Sequence, residues 1–166
     1  MPAIPQAAVL LAVAGMSVQI AGFSGLLAAF RRGGRWKPID LYRLRQIPEL
    51  GLATALIAVV YFPAADILGN AGNAVRLASG FALVFTAWHI GVLLFRGRRL
   101  QVWWASLTSR LVQILIDAGI LLTAAVGVFT AAAGFFELVL VFMLARQIFA
   151  FVLVLADLVG GDESGP

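Results

Sequence analysis

Charged side chains interrupt two of the most apolar stretches of the chain, and they are the residues most able to do chemistry. Asp117 lies inside one apolar run and Arg146 lies inside the next. Ionisable residues in a membrane interior are costly, and they usually pair with one another or line a functional path. Their types therefore suggest either an ion pair between helices or a route for protons or ions.

Depth within a helical hairpin predicts which charges meet. If the hairpin turns near residues 132–133, Asp117 and Arg146 differ in depth by two residues, which is roughly 3 Å at about 1.5 Å per residue. Arg110 and Asp157 show a similar offset nearer the other end of the hairpin. The spacings of seven residues from Arg110 to Asp117 and eleven from Arg146 to Asp157 keep each set on one helix face. We therefore predict two intramembrane ion pairs, Asp117–Arg146 and Arg110–Asp157.

These ion pairs have a structural and a functional interpretation. In the structural interpretation they hold two helices in register. In the functional interpretation Asp117 and Arg146 belong to a proton or ion path. Pairing favours the structural interpretation, because an aspartate held by an arginine is not free to exchange its proton.

Other polar residues within the apolar runs form a candidate path for a solute. Its members are Gln19, His89, Glu137 and Gln147. His89 is the only histidine and there is no cysteine, so one chain cannot supply a multi-histidine metal centre, a haem with two histidine ligands or a thiolate site. The sequence also lacks phosphate-binding, dinucleotide-binding and hydrolase motifs. We therefore expect no metal, no cofactor and no catalytic residue.

The amino-acid composition indicates that these residues lie in a membrane rather than in water. The chain has 166 residues, of which 62% are hydrophobic and 12% are charged, whereas a typical soluble domain is about 25% charged. Apolar runs of about 20 residues are long enough to cross the hydrocarbon of a bilayer. We therefore predict an all-α fold, an integral membrane bundle of five transmembrane helices with a short interfacial helix on the cytoplasmic side.

The predicted transmembrane helices run from about Gln6 to Phe30, Pro48 to Leu68, Ala74 to Phe95, Arg110 to Ala131 and Phe135 to Leu158, and the interfacial helix runs from Ile39 to Ile47. Residues 1–158 then form a single transmembrane domain. Residues 159–166 are polar and form a disordered, acidic C-terminal tail.

The distribution of positive charge predicts the orientation. Segments 31–47 and 96–110 hold ten of the twelve Lys and Arg residues, and basic loops stay in the cytoplasm. Five crossings then place the N-terminus outside and the C-terminus inside a bacterial inner membrane. The net charge of +4 is accordingly an orientation signal, and we expect no nucleic-acid partner.

Basic residues of the first loop are also candidates for contact with anionic lipid head groups. They are Arg31, Arg32, Arg35, Lys37, Arg43 and Arg45. A plain orientation signal is the simpler interpretation of the same residues.

Small residues at four-residue spacing predict faces where helices approach closely. One stripe comprises Ser17, Ala21, Gly25 and Ala29, and the other comprises Gly119, Thr123, Gly127 and Ala131. The second stripe lies well round its helix from Asp117. The fourth helix is therefore expected to pack one face on the fifth helix and another on a further helix or subunit.

Three short segments resemble a group of small uncharacterised bacterial multi-helix membrane proteins. They are Ala21-Gly22-Phe23-Ser24-Gly25, Arg31-Arg32 and Arg43-Leu44-Arg45, all in the first half of the chain. The resemblance implies a bacterial origin and a multi-helix membrane fold. It implies no activity and no functional residues.

Three classes of function remain open from the sequence. The leading one is a non-enzymatic protein that assembles with itself, as a homo-oligomer, or joins other membrane subunits as an accessory of a larger complex. The alternative is a small homo-oligomeric ion or proton channel or transporter that uses Asp117 and Arg146. The third is a redox subunit that borrows a cofactor through His89.

Overall fold

The fold is an all-α bundle of five helices. In a computed structural model, residues 5–30, 38–100 and 107–160 are described, with only the backbone given for residues 28–30, 38–40, 43, 96–100, 107 and 157–160. The helices are α1 (Ala7–Phe30), α2 (Pro38–Leu68), α3 (Ala71–Leu100), α4 (Leu107–Thr130) and α5 (Ala133–Gly160). Each contains a stretch long and apolar enough to cross a membrane. The predicted five-helix membrane fold is confirmed. Residues 159–160 belong to the end of α5 rather than to the predicted tail, and residues 161–166 lie outside the described part.

The predicted interfacial helix is not a separate element. Residues 39–47 are the first part of α2, which continues through Pro48 without a break. Leu44 and Ile47 are buried in a cluster with Ala150 and Val154 of α5. An interfacial helix would turn its apolar side to the lipid, whereas the apolar side of this segment packs on α5. Pro48 lacks one backbone donor, but the packing of this segment on α5 keeps the helix continuous.

The turn between α2 and α3 is built from two residues with specific backbone roles. Gly69 has a φ of 59°, the left-handed conformation that commonly ends a helix. The Asn70 side chain then caps α3, because its Oδ1 accepts a hydrogen bond from the Gly72 N–H at 2.8 Å. A turn this short makes α2 and α3 antiparallel neighbours.

The turn between α4 and α5 is equally short. Ala131 has a φ of 56°, a conformation that costs a non-glycine residue about 1–2 kcal/mol. α4 ends at Thr130 and α5 begins at Ala133, so the apex lies one residue before the predicted one. This tight connection sets the register of the hairpin that carries Asp117 and Arg146.

α5 is the central helix of the bundle, since it contacts each of the other four. Phe136, Leu140 and Met143 are almost fully buried along it. The Tyr61 ring of α2 lies 6.0 Å from the Phe136 ring, centroid to centroid. Elsewhere, small side chains let neighbouring helices approach closely. Ala74, Ala78 and Ala82 of α3 are fully buried at four-residue spacing.

Candidate functional site

Asp117 of α4 and Arg146 of α5 form an ion pair inside the bundle. Arg146 Nε lies 3.0 Å from Asp117 Oδ1, and the two side chains are 4% and 10% exposed. This is the pairing that the depth arithmetic predicts. The short turn at residues 131–132 fixes the register of α4 against α5, so residues of equal depth meet.

The pair does not satisfy all of its polar atoms. Within the described residues, Arg146 Nη2 and Asp117 Oδ1 are buried and make no directed hydrogen bond. A buried polar group without a partner typically costs about 1–3 kcal/mol, and more when it is charged. Buried polar atoms normally have at least one hydrogen-bond partner, so these two unpartnered atoms are unusual.

A cavity of about 360 Å³ lies beside this pair, between α2, α3, α4 and α5. Its wall is mostly apolar, and its polar members are Tyr42, Gln46, Ser109, Arg110, Gln113, Asp117 and Arg146. Along α4 the lining extends from Ser109 to Leu121, which is roughly 18 Å of helix. The cavity thus runs from the end of the bundle near the α3–α4 loop to the depth of the ion pair.

The second predicted ion pair falls partly outside the described residues. The side chain of Asp157 is not described. Arg110 lies on the cavity wall, on the same stretch of α4 as Asp117. The pairing of Arg110 with Asp157 stays a prediction.

The four residues of the candidate polar path do not form one path. Gln19 is exposed on the outer surface of α1. Glu137 lies near the opposite end of the bundle from the cavity, where its Oε1 accepts a hydrogen bond from the Gln6 N–H at 2.8 Å. His89 and Gln147 are both buried, and each binds a different neighbour. The prediction of a single path is wrong, because sequence depth does not say which face of a helix looks inward.

His89 belongs to the surroundings of the cavity. The amide nitrogen Nε2 of Gln46 lies 3.3 Å from His89 Nε2, and an amide nitrogen can only donate. His89 Nε2 is therefore the acceptor in this contact. Gln46 in turn lines the cavity, so the buried histidine contacts a wall residue rather than the open space. Among the described residues, no group of three or more His, Cys, Asp or Glu side chains could hold a metal ion.

Gln147 joins three helices at one point. Its Nε2 donates to the Ser17 carbonyl of α1 at 2.8 Å and to the Ile47 carbonyl of α2 at 3.2 Å. Gly51 makes room for this contact, because a Cβ there would collide with the Gln147 amide and the Ser17 carbonyl oxygen. Sequence reasoning missed Gly51, although a glycine within an apolar helix is a known sign of close helix packing.

The first small-residue stripe is only partly a packing face. Ser17 and Ala21 are buried, but Gly25 is exposed, and the side chain of Ala29 is outside the described set. Gly25 does not pack within the chain, because the buried face of α1 turns from Ala21 to Ser24, following about 3.6 residues per turn rather than four. Its packing against another subunit stays a prediction.

The second stripe packs inside the chain. A Cβ on Gly119 would stand 3.2 Å from the Phe142 ring of α5, and one on Gly127 would stand 2.6 Å from Ser79 Oγ of α3. Thr123 is buried between them, while Ala131 belongs to the turn. The stripe therefore serves contacts within one chain, which removes it as support for a subunit interface.

The residues predicted to bind anionic lipids are largely outside the described part. Arg31, Arg32, Arg35 and Lys37 are not described, nor is the Arg43 side chain. Arg45 Nε lies 2.7 Å from Glu49 Oε1, one turn along α2, and both side chains are exposed. Arg45 is thus already paired within its own helix.

Comparisons with known proteins found no match to this chain among protein-family models, curated proteins or solved structures. The cavity and its ion pair are therefore the features from which a function can be argued.

Proposed function

We propose that this chain is a membrane-embedded binding protein whose small ligand occupies the cavity beside Asp117 and Arg146. One observation carries the proposal: Arg146 lines a cavity of about 360 Å³, and this buried guanidinium has an atom, Nη2, without a hydrogen-bond partner among the described residues. Binding sites for small molecules are typically concave and mostly apolar, with a few convergent polar groups. The cavity has this composition.

A purely structural ion pair explains less of what is present. Two charges that only hold α4 against α5 would be expected to satisfy each other, or to be replaced by apolar residues at little loss of stability. Arg146 instead keeps a free donor, and five further polar side chains line the same cavity. This grouping favours a ligand site over simple packing. Of the classes left open by the sequence, it favours a channel or transporter over a protein that acts only through assembly.

We further propose the orientation that the basic loops predict. α2 and α3 separate the two basic segments, so both lie on one side of the membrane, which is the cytoplasmic side of a bacterial inner membrane. The cavity then opens toward the cytoplasmic half, since its lining reaches Ser109 and Leu94 at the ends next to the α3–α4 loop. The N-terminus lies outside.

Self-assembly has separate support from the outer surface of α1. Gln19 lies within the candidate span Ala7–Leu27 and is exposed. Gly15 and Gly22, at neighbouring turns, have open space around them. A Gln side chain in hydrocarbon gains from a partner across a helix interface, so a second copy of α1 is the proposed partner.

Cysteine reactivity tests whether the cavity is a solvated site. The natural chain has no cysteine, so Ala118→Cys on the cavity wall provides one thiol in a clean background. Reaction with N-ethylmaleimide requires a thiolate, which forms in water and not in hydrocarbon. We expect Ala118→Cys to react in proteoliposomes.

The matched control is Ala87→Cys, which is exposed on α3 outside the cavity at about the same number of residues from the α3–α4 loop. It should stay unmodified, because it faces hydrocarbon. If Ala118→Cys is as inert as Ala87→Cys, the cavity is not a solvated binding site and the proposal fails.

A further inference from the structure

The wall of the cavity is covered on two of its helices and exposed on the other two. The described lining residues of α2 and α5, such as Leu50 and Ala150, are buried or half-buried. On α3 and α4, by contrast, Leu94 and Ile114 line the cavity and are 50% and 61% exposed. Ala118, also on the wall, is exposed as well. The open side of the cavity therefore lies between α3 and α4.

The same two helices are in close contact at their other ends. A Cβ on Gly127 of α4 would stand 2.6 Å from Ser79 Oγ of α3. A Cβ on Gly72 of α3 would stand 3.5 Å from the Ala131 Cβ, at the α4–α5 turn. α3 and α4 thus touch near the α4–α5 turn and have the cavity between them toward the α3–α4 loop. Their exposed lining residues, Leu94, Ile114 and Ala118, define what is called the α3–α4 opening below.

The α3–α4 opening lies within the membrane-spanning parts of both helices. Leu94 belongs to the candidate span Ala71–Phe95, and Ile114 and Ala118 belong to the candidate span Thr108–Thr130. Exposed apolar side chains at this depth face lipid, since the hydrocarbon is what surrounds a spanning helix. A molecule dissolved in the bilayer can therefore reach the cavity without leaving the membrane.

The lining is ordered from polar to apolar along the membrane normal. Polar residues lie on the wall at the end next to the α3–α4 loop: Tyr42, Ser109, Arg110 and Gln113. Deeper on α3 and α4 the lining is apolar except for Asp117, which is buried against Arg146. The apolar members are Ile90, Ile114, Ala118 and Leu121. A lipid in a bilayer has the same order, with its head group at the surface and its chain in the hydrocarbon.

The size of the cavity limits the occupant to one chain. A volume of about 360 Å³ lies at the small end of the range of roughly 300–1,000 Å³ for ligand pockets. Resting on the binding function proposed above, we infer that the ligand is a single-chain amphiphile, such as a fatty acid, which enters from the bilayer through the α3–α4 opening. Its head group stays at the polar end, where water also has access, and its chain lies along the apolar lining.

Photolabelling tests the ligand class. Decanoate with a diazirine at the end of its chain is added to the protein in lipid nanodiscs, and the adducts are located by peptide mass spectrometry after irradiation. We expect adducts at Ala118 and Leu121 that an excess of plain decanoate removes. Butyrate at the same concentration should not remove them, because it has the same head group but too few methylenes to bury.

Two further residues of α4 provide the matched control. Leu115 and Leu122 are 70% and 67% exposed and lie outside the cavity lining. Adducts there arise from probe dissolved in the surrounding lipid, so an excess of decanoate should leave them in place.

Closing the α3–α4 opening tests the route of entry. Leu94→Cys and Ile114→Cys are introduced together into a chain that has no natural cysteine and are joined with a bis-methanethiosulfonate reagent. When irradiation follows soon after mixing, the bridge should slow labelling of Ala118 and Leu121, and reduction of the bridge should restore it. Each single cysteine variant, treated in the same way, carries the reagent without the bridge and should be labelled at the normal rate.

The outcomes separate this inference from the function on which it rests. An opening that no reagent can bridge, or a bridge without effect on labelling, overturns the entry route. Competition by butyrate as effective as that by decanoate overturns the single-chain amphiphile. If decanoate removes no adduct from the wall, the ligand class is overturned, and the binding function stands only if the Ala118→Cys thiol still reacts with N-ethylmaleimide.

Discussion

The guanidinium of Arg146 directs Nε at Asp117, and its Nη2 is buried without a hydrogen-bond partner among the described residues. Asp117 compensates the charge of Arg146 within the bundle. Removing either charge therefore differs from removing both, since only the first leaves an uncompensated charge in a buried place.

The residue-scale prediction compares single and double neutralisation. Arg146→Gln should lower the free energy of unfolding by about 3–5 kcal/mol, because it leaves Asp117 buried without its counter-charge. Adding Asp117→Asn to it should recover most of that loss. Reversible unfolding in mixed micelles with increasing denaturing detergent measures both values.

A double variant as unstable as Arg146→Gln alone would contradict the compensation. Glu49→Gln is a suitable control, because its pair with Arg45 is exposed. Exposed pairs contribute about 0–1 kcal/mol, so this control should change stability little.

Helix packing in this bundle depends on points where backbones approach closely. At one such point Gly51 of α2 faces the Ser17 carbonyl of α1 and the Gln147 amide of α5. Because Gln147 bonds to backbone carbonyls of both neighbours, its contacts hold α1 and α2 against the central helix. The side-chain carbonyl Oε1 of Gln147 is buried there with no hydrogen-bond partner among the described residues.

The element-scale prediction concerns this junction. Gly51→Ala places a methyl group against the Gln147 amide and a backbone oxygen that cannot move freely. Overpacking of this kind costs about 1–3 kcal/mol. The thermal unfolding midpoint of the purified protein in detergent should fall accordingly.

Gly15→Ala is the matched control, since nothing lies within 4 Å of a Cβ at that position. It should leave the midpoint unchanged or raise it slightly, because alanine is the better helix former. Equal effects of the two substitutions would show that α1 and α2 do not meet at Gly51.

At the scale of the whole molecule, some features of the bundle could be predicted from the sequence and others could not. Helix number follows from apolar length, and the Asp117–Arg146 contact follows from hairpin depth because the connecting turn leaves little freedom of register. Direction around each helix is harder to infer. The outward direction of Gln19 and Gly25 could not be predicted, because the nearly uniform hydrophobicity of α1 gives no amphipathic signal. The cavity could not be predicted, since it is bounded by four helices.

The prediction at this scale concerns self-assembly. If Gln19 bonds across an interface between two copies of α1, Gln19→Leu should shift the protein from dimer to monomer in mild detergent. Size-exclusion chromatography with light scattering measures the mass of the protein component. Val18→Leu is a control, because Val18 is exposed on the same helix but apolar.

A protein that is monomeric without any substitution, or a Gln19→Leu protein of unchanged oligomeric mass, would contradict this interface. Neither result would affect the cavity, which lies among α2, α3, α4 and α5. The proposed assembly and the proposed binding can therefore be tested independently of each other.

Occupancy of the cavity is tested most directly by native mass spectrometry of the protein with decanoate. Ala118→Phe fills the cavity from its wall, whereas Ala87→Phe adds the same ring to the outer surface of α3. We predict one bound decanoate per chain in the unaltered protein and in Ala87→Phe, and none in Ala118→Phe. Equal binding by all three proteins would place the ligand outside the cavity and contradict the proposed function.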